Sequence, residues 1–311
     1  GSQPPGGGRA DTRTSARHDD DLAPKSTHAP CLVQASSRAG WPLPAPAAYL
    51  PRPMATALYE PDGADRYVST ILTQGPWSAE HQFGGGPGAL LAHVIEAQPT
   101  LTEMRVVRLT VDLLRPIPLA PLVAKAVIRR EGKKVQYLDA TLEADGAEVA
   151  RATAIRLRVG DISGVELPVH PGVGHRPGNV IPYGSPQGVK DPGTGRAMQY
   201  ACESGQQAFR GKPTWVRLMV PVVEGCETSP LERMIYVADC ANGFGNAHHL
   251  PLSGMNTDIG LSIVRPAIGE WVCMTGVGFP NADGIGFADA TQYDEHGVVG
   301  RVMMTRLIDR K

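Results

Sequence analysis

The chain is short of cysteine and of net charge, and each shortage closes a class of function. Its five cysteines, Cys31, Cys202, Cys226, Cys240 and Cys273, form neither a CxxC pair nor the spacing of a zinc site. Such a scattered, odd-numbered set reads as reduced thiols, so a cytoplasmic location is expected. Lys and Arg number 30 against 31 Asp and Glu, which leaves no overall field to draw the chain to nucleic acid or to an anionic membrane. Neither is expected as a partner, and a phosphate-bearing ligand would have to be held by local groups. No apolar run approaches the ~20 residues that cross a bilayer, and the amino terminus lacks the basic-then-apolar order of a secretory signal. The nine histidines form no HExxH or related pattern, and His248-His249 read as solvated, so no metal is expected. A GxSxG elbow is missing, which argues against an α/β-hydrolase, and the glycines do not fit GxGxxG in a βαβ unit, which argues against dinucleotide binding.

What is present is a 42% hydrophobic chain of 311 residues, enough for one large or two small cores. Residues 1–53 are rich in Gly, Pro, Ala, Ser and charge without apolar periodicity, and are expected to be a disordered extension. Met54 opens the first globular-looking stretch, and the native start is expected at or near it. A turn-rich segment containing Gly84-Gly85-Gly86-Pro87-Gly88 precedes a strongly apolar helical run, Ala89 to Ile95, which Pro99 ends. Strands follow at 105–115, 122–130 and 135–159, the last split by the hairpin signal Asp145-Gly146. Prolines crowd 160–197 and mark a linker. Beyond it the pattern resumes: strands at 198–209 and 214–222, a helix from Pro230 to Ala241, then strands at 255–265, 270–279, 284–293 and 298–308. The division expected is 54–159, a linker at 160–197, and 198–311.

The second half repeats the first at one fixed offset. Arg115-Pro116 matches Arg265-Pro266, Asp139-Ala140-Thr141 matches Asp289-Ala290-Thr291, and Arg151 matches Arg301, each 150 residues apart. Val107, Leu109, Val111 and Leu113 fall on Thr257, Ile259, Leu261 and Ile263, which period-2 alternation puts on one face of a sheet. The other face diverges, with Arg108, Thr110 and Asp112 against Asp258, Gly260 and Ser262. Duplication followed by divergence would leave one specialised site where two equal ones had been. Trp77, Trp215 and Trp271 are read as packing residues.

Particular segments sharpen this. Gly75 to Glu96, GPWSAEHQFGGGPGALLAHVIE, with Val111 to Pro118, VDLLRPIP, resembles the first half of the acyl-CoA thioesterase II-like family. Pro230-Leu231-Glu232-Arg233, Asn256-Thr257-Asp258, Arg265-Pro266 and Gly269-Glu270-Trp271 resemble its second half. The resemblance covers roughly residues 60–308. It implies an α+β fold, a double hot-dog in which two antiparallel sheets each wrap a helix within one chain, acting on an acyl-CoA substrate. It also implies an aspartate of the second copy that orients water for attack on a thioester, at the position of Asp258, with further polar groups falling on Asn281 and Thr305. No glutamine stands on the last strand, where the family pattern has one.

Read from the residues, Asp258 sits among Ile259, Leu261 and Ile263, where partial burial would suit it to act as a base; pairing with an arginine or capping the strand is the plainer alternative. Gly85, Gly86 and Gly88 are the candidate substrate-binding positions. Backbone amides there could polarise a thioester carbonyl, or the glycines could serve only to turn the chain tightly into its helix. Thioester hydrolysis of this kind needs no cofactor. A non-catalytic acyl-CoA or acyl-carrier binding protein of the same fold, suggested by the missing glutamine, and an enoyl hydratase, which lacks its Asp/His spacing here, are the competing readings. Association into a homo-oligomer is left open.

Overall fold

In the computed structural model, residues 55–168, 172–178, 180–181, 192–204, 208–209, 211–245 and 252–310 are described. The extension 1–53, the pair His248-His249 and parts of the 160–197 segment lie outside them. In chain order the elements are β1 (Tyr59–Pro61), β2 (Arg66–Ser69), α1 (Gly85–Glu96), β3 (Met104–Leu113), β4 (Pro121–Arg130), β5 (Val135–Ala144), β6 (Ala147–Arg158), β7 (Val180–Ile181), α2 (Gly193–Ala197), β8 (Met198–Ala201), β9 (Thr214–Leu218), α3 (Pro230–Ala238), α4 (Asn242–Gly245), β10 (Leu252–Asn256), β11 (Asp258–Ile263), β12 (Trp271–Pro280), β13 (Ile285–Asp294) and β14 (Gly297–Arg310). A 3-10 turn, Asp239–Ala241, continues α3.

All named strands join one antiparallel sheet, ordered β1-β2-β4-β5-β6-β3-β11-β14-β13-β12-β9-β8-β7, with β10 also on β14. Trp271, Ile285 and Gly297 open their strands 150 residues after Pro121, Val135 and Ala147, so the sequence repeat is a repeat of elements. The halves meet where β3 pairs with β11, from Asp112 opposite Asp258 to Arg108 opposite Ser262. At the centre of that seam Thr110 faces Gly260, its own counterpart at the same offset, so a local two-fold relation passes between them. Leu109, Val111, Ile259 and Leu261 are buried beneath the seam. Val107 is not the inward residue expected: a bulge between Val106 and Arg108 turns Val106 into the core instead.

The helices α1 and α3 lie together on one face of the sheet, α1 over β4, β5 and β6 and α3 over β9, β11 and β12. Helix α1 is apolar on most sides because it is covered on most sides. Helix α3 starts with a capping box, Ser229 and Glu232 each bonding the other's backbone N–H, and with Pro230 in its first turn. Trp215 is buried, and Trp271 lies under the guanidinium groups of Arg176 and Arg217 at 4.6 and 5.1 Å. Trp77 differs from expectation at 49% exposed, since it stands in the turn-rich segment before α1 and not on a packed element. None of the four described cysteines forms a disulfide. Among the described residues no helix is long and apolar enough to cross a membrane.

Candidate active site

The two helices lie side by side in opposite senses, so that the start of α1 meets the close of α3. The approach is tight because the first turn of α1 is glycine. A Cβ on Gly85 would come within 2.4 Å of the Tyr236 carbonyl oxygen, and one on Gly84 within 3.0 Å of Asp239 Oδ1. The glycines expected to form a turn before the helix are therefore its first turn. Their poor helix propensity is outweighed by a contact that no side chain could make.

Asp239 follows α3 directly and is 5% exposed. Its Oδ2 accepts the Gly85 N–H at 3.1 Å, and its Oδ1 accepts from Asn256 Nδ2 at 2.8 Å. Burial pushes its carboxyl up to about 6, against the lowering effect of the donations from Asn256, Gly85 and Gly84. The result is a carboxylate that titrates near neutrality at the positive end of a helix. On the far side of the glycine turn, the buried Tyr59 hydroxyl donates to Gln82 Oε1 at 2.7 Å, and Gln82 Nε2 donates to the Pro118 carbonyl at 2.7 Å. Buried Arg306 donates through Nε to Asn242 Oδ1 at 2.7 Å and fills the space over Gly254, where a Cβ would stand 1.9 Å from its Nη2. This props β10 beside Asp239.

A bulge decides which residues reach this place. Asn256 pairs with Arg306 on β14, whereas Gly260 pairs with Met303, so Thr257 is one residue in excess. In a straight strand Asn256 and Asp258 would share a face. The extra residue sends Asn256 to the helix side and Asp258, with Gly260 and Ser262, to the outer face.

The residues chosen from sequence consequently fall in three places. Asp258 and Thr305 are together on the outer face: Asp258 Oδ1 accepts the Thr305 N–H at 2.8 Å and also contacts its hydroxyl, and the Thr257 and Thr305 hydroxyls are 2.7 Å apart. Asn281 is exposed in the β12–β13 turn, which its backbone closes onto Ile285. Gly85, Gly86 and Gly88 are inside, in α1, with Gly86 N–H bonded to the Phe83 carbonyl and Gly88 N–H to that of Gly84, both at 3.1 Å. Neither Asp239 nor Asn256 is among the site residues read from the sequence, although Asn256 stands in the Asn256-Thr257-Asp258 segment of the resemblance. The available signal was an acidic residue closing an apolar helix, Met234 to Ala238.

The opposite end of the helix pair has the same plan and different contents. Ser229, which caps α3, meets the Glu96 carboxylate at the close of α1, and His93 Nδ1 lies 2.7 Å from Glu232 Oε1. Arg156, 150 residues before Arg306, donates to the carbonyls of Ile95 and Gln98. Buried Val106 stands where the second half has Asn256, each opposite its arginine. At that end Val106 brings no amide to Glu96, which Ser229 meets instead; the buried amide there, Gln136, accepts from Arg156 Nη1 through Oε1 at 2.9 Å.

Residues 73–157 match the model of the acyl-CoA thioesterase N-terminal domain, and residues 177–305 that of the acyl-CoA thioesterase C-terminal domain. No curated protein matches the chain. Among solved structures it is similar to a thioesterase candidate from Novosphingobium aromaticivorans, at 19% identity and TM-score 0.62 over 81% of this chain and 99% of that one. It is also similar to a hot-dog-fold protein of unknown function from Alicyclobacillus acidocaldarius, at 14% and 0.62 over 81% and 96%. A third is an acyl-CoA thioesterase II from Mycobacterium marinum, at 14% and 0.54 over 81% and 96%. At these identities the structures speak for fold, and the fold is the hot-dog. With both domain models matched in order, the chain belongs to the acyl-CoA thioesterase II-like family of thioester hydrolases.

Proposed function

We propose that the protein hydrolyses an acyl-CoA thioester to the free acid and CoA, with Asp239 as the carboxylate that activates water. We read the chain as a double hot-dog, two fused copies at 54–159 and 198–311 joined by 160–197, each sheet wrapping one helix. The observation that carries the mechanism is a buried carboxylate, raised to about 6, held against the glycine start of α1 by one backbone amide and one side-chain amide. Ionised Asp239 takes a proton as a water oxygen bonds to the thioester carbonyl carbon. Asn256 Nδ2 has a second hydrogen beyond the one given to Asp239, and the positive end of α1 lies beside it; both favour the oxyanion that forms. The C–S bond then breaks, and the proton returns to the departing thiolate. No cofactor enters these steps.

The reading places at Asp239 the role that the family resemblance alone would give Asp258, and the two are separated by one comparison. In a thiol-release assay across acyl-chain lengths, Asp239→Asn is expected to lower kcat by roughly 100-fold or more with little change in KM, and Asp258→Asn to retain turnover. The opposite pattern would overturn the assignment. Saturable acyl-CoA binding by the wild type without thiol release at any chain length would leave the binding-protein reading in its place.

A further inference from the structure

Arg115 and Arg265 hold the same position in the two copies, 150 residues apart, yet only one of them is neutralised. Arg265 gives two bonds, of 2.5 and 2.6 Å, to the carboxylate of Asp294, which also accepts the N–H groups of Ile268 and His296. In the first half the place of Asp294 is taken by Ala144. Arg115 is exposed, and its guanidinium has neither a hydrogen bond nor an ion pair among the described residues. Asp112, the acid nearest to it in the chain, accepts from Arg151 Nε at 2.8 Å instead.

The unpaired arginine belongs to the Asp239 end of the helix pair and the neutralised one to the Glu96 end. From Arg115 the chain runs to Ile117, whose carbonyl accepts the Gln82 N–H at 2.8 Å, and to Leu119, whose N–H donates to the Glu80 carbonyl at 2.9 Å. Gln82 is two residues before Gly84, where the glycine turn meets Asp239. Arg265 leads instead to Gly269, whose carbonyl accepts from Arg233 Nη1 at 2.8 Å near the start of α3. Glu80 to Gln82 also closes the loop that carries Trp77, 49% exposed. That loop is fixed: Gly75 N–H donates to the His81 carbonyl and Gln74 Nε2 to the Ala79 carbonyl, both at 2.9 Å. An indole is therefore shown to solvent on the segment bonded to the one that follows Arg115. CoA ends in an adenosine that bears a 3′-phosphate and a pyrophosphate, and the pantetheine arm sets these charges apart from the thioester. They must be met beside the reacting centre and not at Asp239 itself. Given an acyl-CoA ligand, as proposed above, we infer that its nucleotide end lies on this flank, a phosphate on the Arg115 guanidinium and the adenine against Trp77. At the other end Asp294 already occupies the equivalent guanidinium, so the duplicated chain keeps one phosphate subsite and not two.

A thiol-release assay of the full chain compares one acyl group carried on CoA and on N-acetylcysteamine, which lacks the nucleotide. Arg115→Gln is expected to lower the ratio of kcat/KM for acyl-CoA to that for the truncated thioester by about tenfold or more, through KM, and Arg115→Lys to restore much of it. Trp77→Ala should lower the same ratio. An Arg115→Gln variant that slows both thioesters alike, or neither, would overturn the inference. Adenosine 3′,5′-bisphosphate carries the nucleotide without a thioester, so its binding, measured by titration calorimetry, reads the subsite apart from hydrolysis. The wild type is expected to bind it, less tightly as salt is added, and Arg115→Gln to bind it about tenfold more weakly. Bisphosphate binding that is absent from the wild type or indifferent to Arg115 would overturn the inference even with hydrolysis intact. Arg115-dependent binding without thiol release would uphold the subsite while hydrolysis fell.

Discussion

At the scale of single residues, the proposed chemistry rests on the protonation of Asp239. Its carboxyl titrates at about 6 because burial outweighs its hydrogen bonds, and only the ionised form can take a proton from water. The rate should therefore fall about tenfold per pH unit below that value and level off above it. Asn256 donates to the same carboxylate and lowers its pKa. Asn256→Ala removes that donation, so the acidic limb of kcat/KM should move to higher pH as the plateau drops; a limb that stayed in place would show that the two side chains are not coupled. For stability the sign is reversed. A carboxyl whose pKa rises on folding favours the folded state most below its unfolded value of 3.8, and that contribution is lost as pH climbs through about 6. The enzyme is thus expected to work where this group destabilises it. The pair was hard to see in the sequence because a bulge has no distinctive residue. Asn256-Thr257-Asp258 reads as plain strand alternation, and the excess of Thr257 appears only in the register with β14.

At the scale of elements, the meeting of α1 and α3 depends on what the first turn of α1 lacks. A methyl at Gly85 would strike a backbone carbonyl, Tyr236 O, that cannot yield without moving α3, whereas one at Gly88 would stand 3.2 Å from the movable Cγ1 of Ile235. Alanine is worth about 1 kcal/mol over glycine within a helix, and overpacking costs about 1–3 kcal/mol. Gly88→Ala should therefore melt at or near the wild-type temperature, and Gly85→Ala clearly below it. Because Gly85→Ala also pulls the Gly85 N–H from Asp239, thiol release should fall even at temperatures where the variant is fully folded. A Gly85→Ala protein with wild-type melting and turnover would mean that the close approach has no function. The apolar run Ala89 to Ile95 was legible as helix, and Ser229, Pro230 and Glu232 mark the start of α3. The extension of α1 back to Gly85 was not, since four glycines argue locally against a helix and only a neighbouring helix argues for it.

At the scale of the whole molecule, the 150-residue offset was visible in Arg115-Pro116, Asp139 and Arg151, and it now relates strand to strand and Arg156 to Arg306. What a sequence repeat cannot convey is how the copies are joined. Here β3 and β11 pair across the local two-fold at Thr110 and Gly260, the sheet runs on unbroken, and residues of both halves share one buried cluster that includes Leu90, Leu109, Ile235 and Leu261. Neither half can lose its structure without exposing the seam and the helix contact of the other. Thermal unfolding should therefore be a single transition, with calorimetric and van't Hoff enthalpies equal and with circular dichroism and Trp215 fluorescence changing together. Leu261→Ala, at the buried seam, should cost about 2–5 kcal/mol and shift that one transition as a unit. Should the melt divide in two, with Trp215 still buried after the first step, the halves would be independent domains in contact, and the proposed active site, assembled from Gly85 of one and Asp239 of the other, could open without either unfolding.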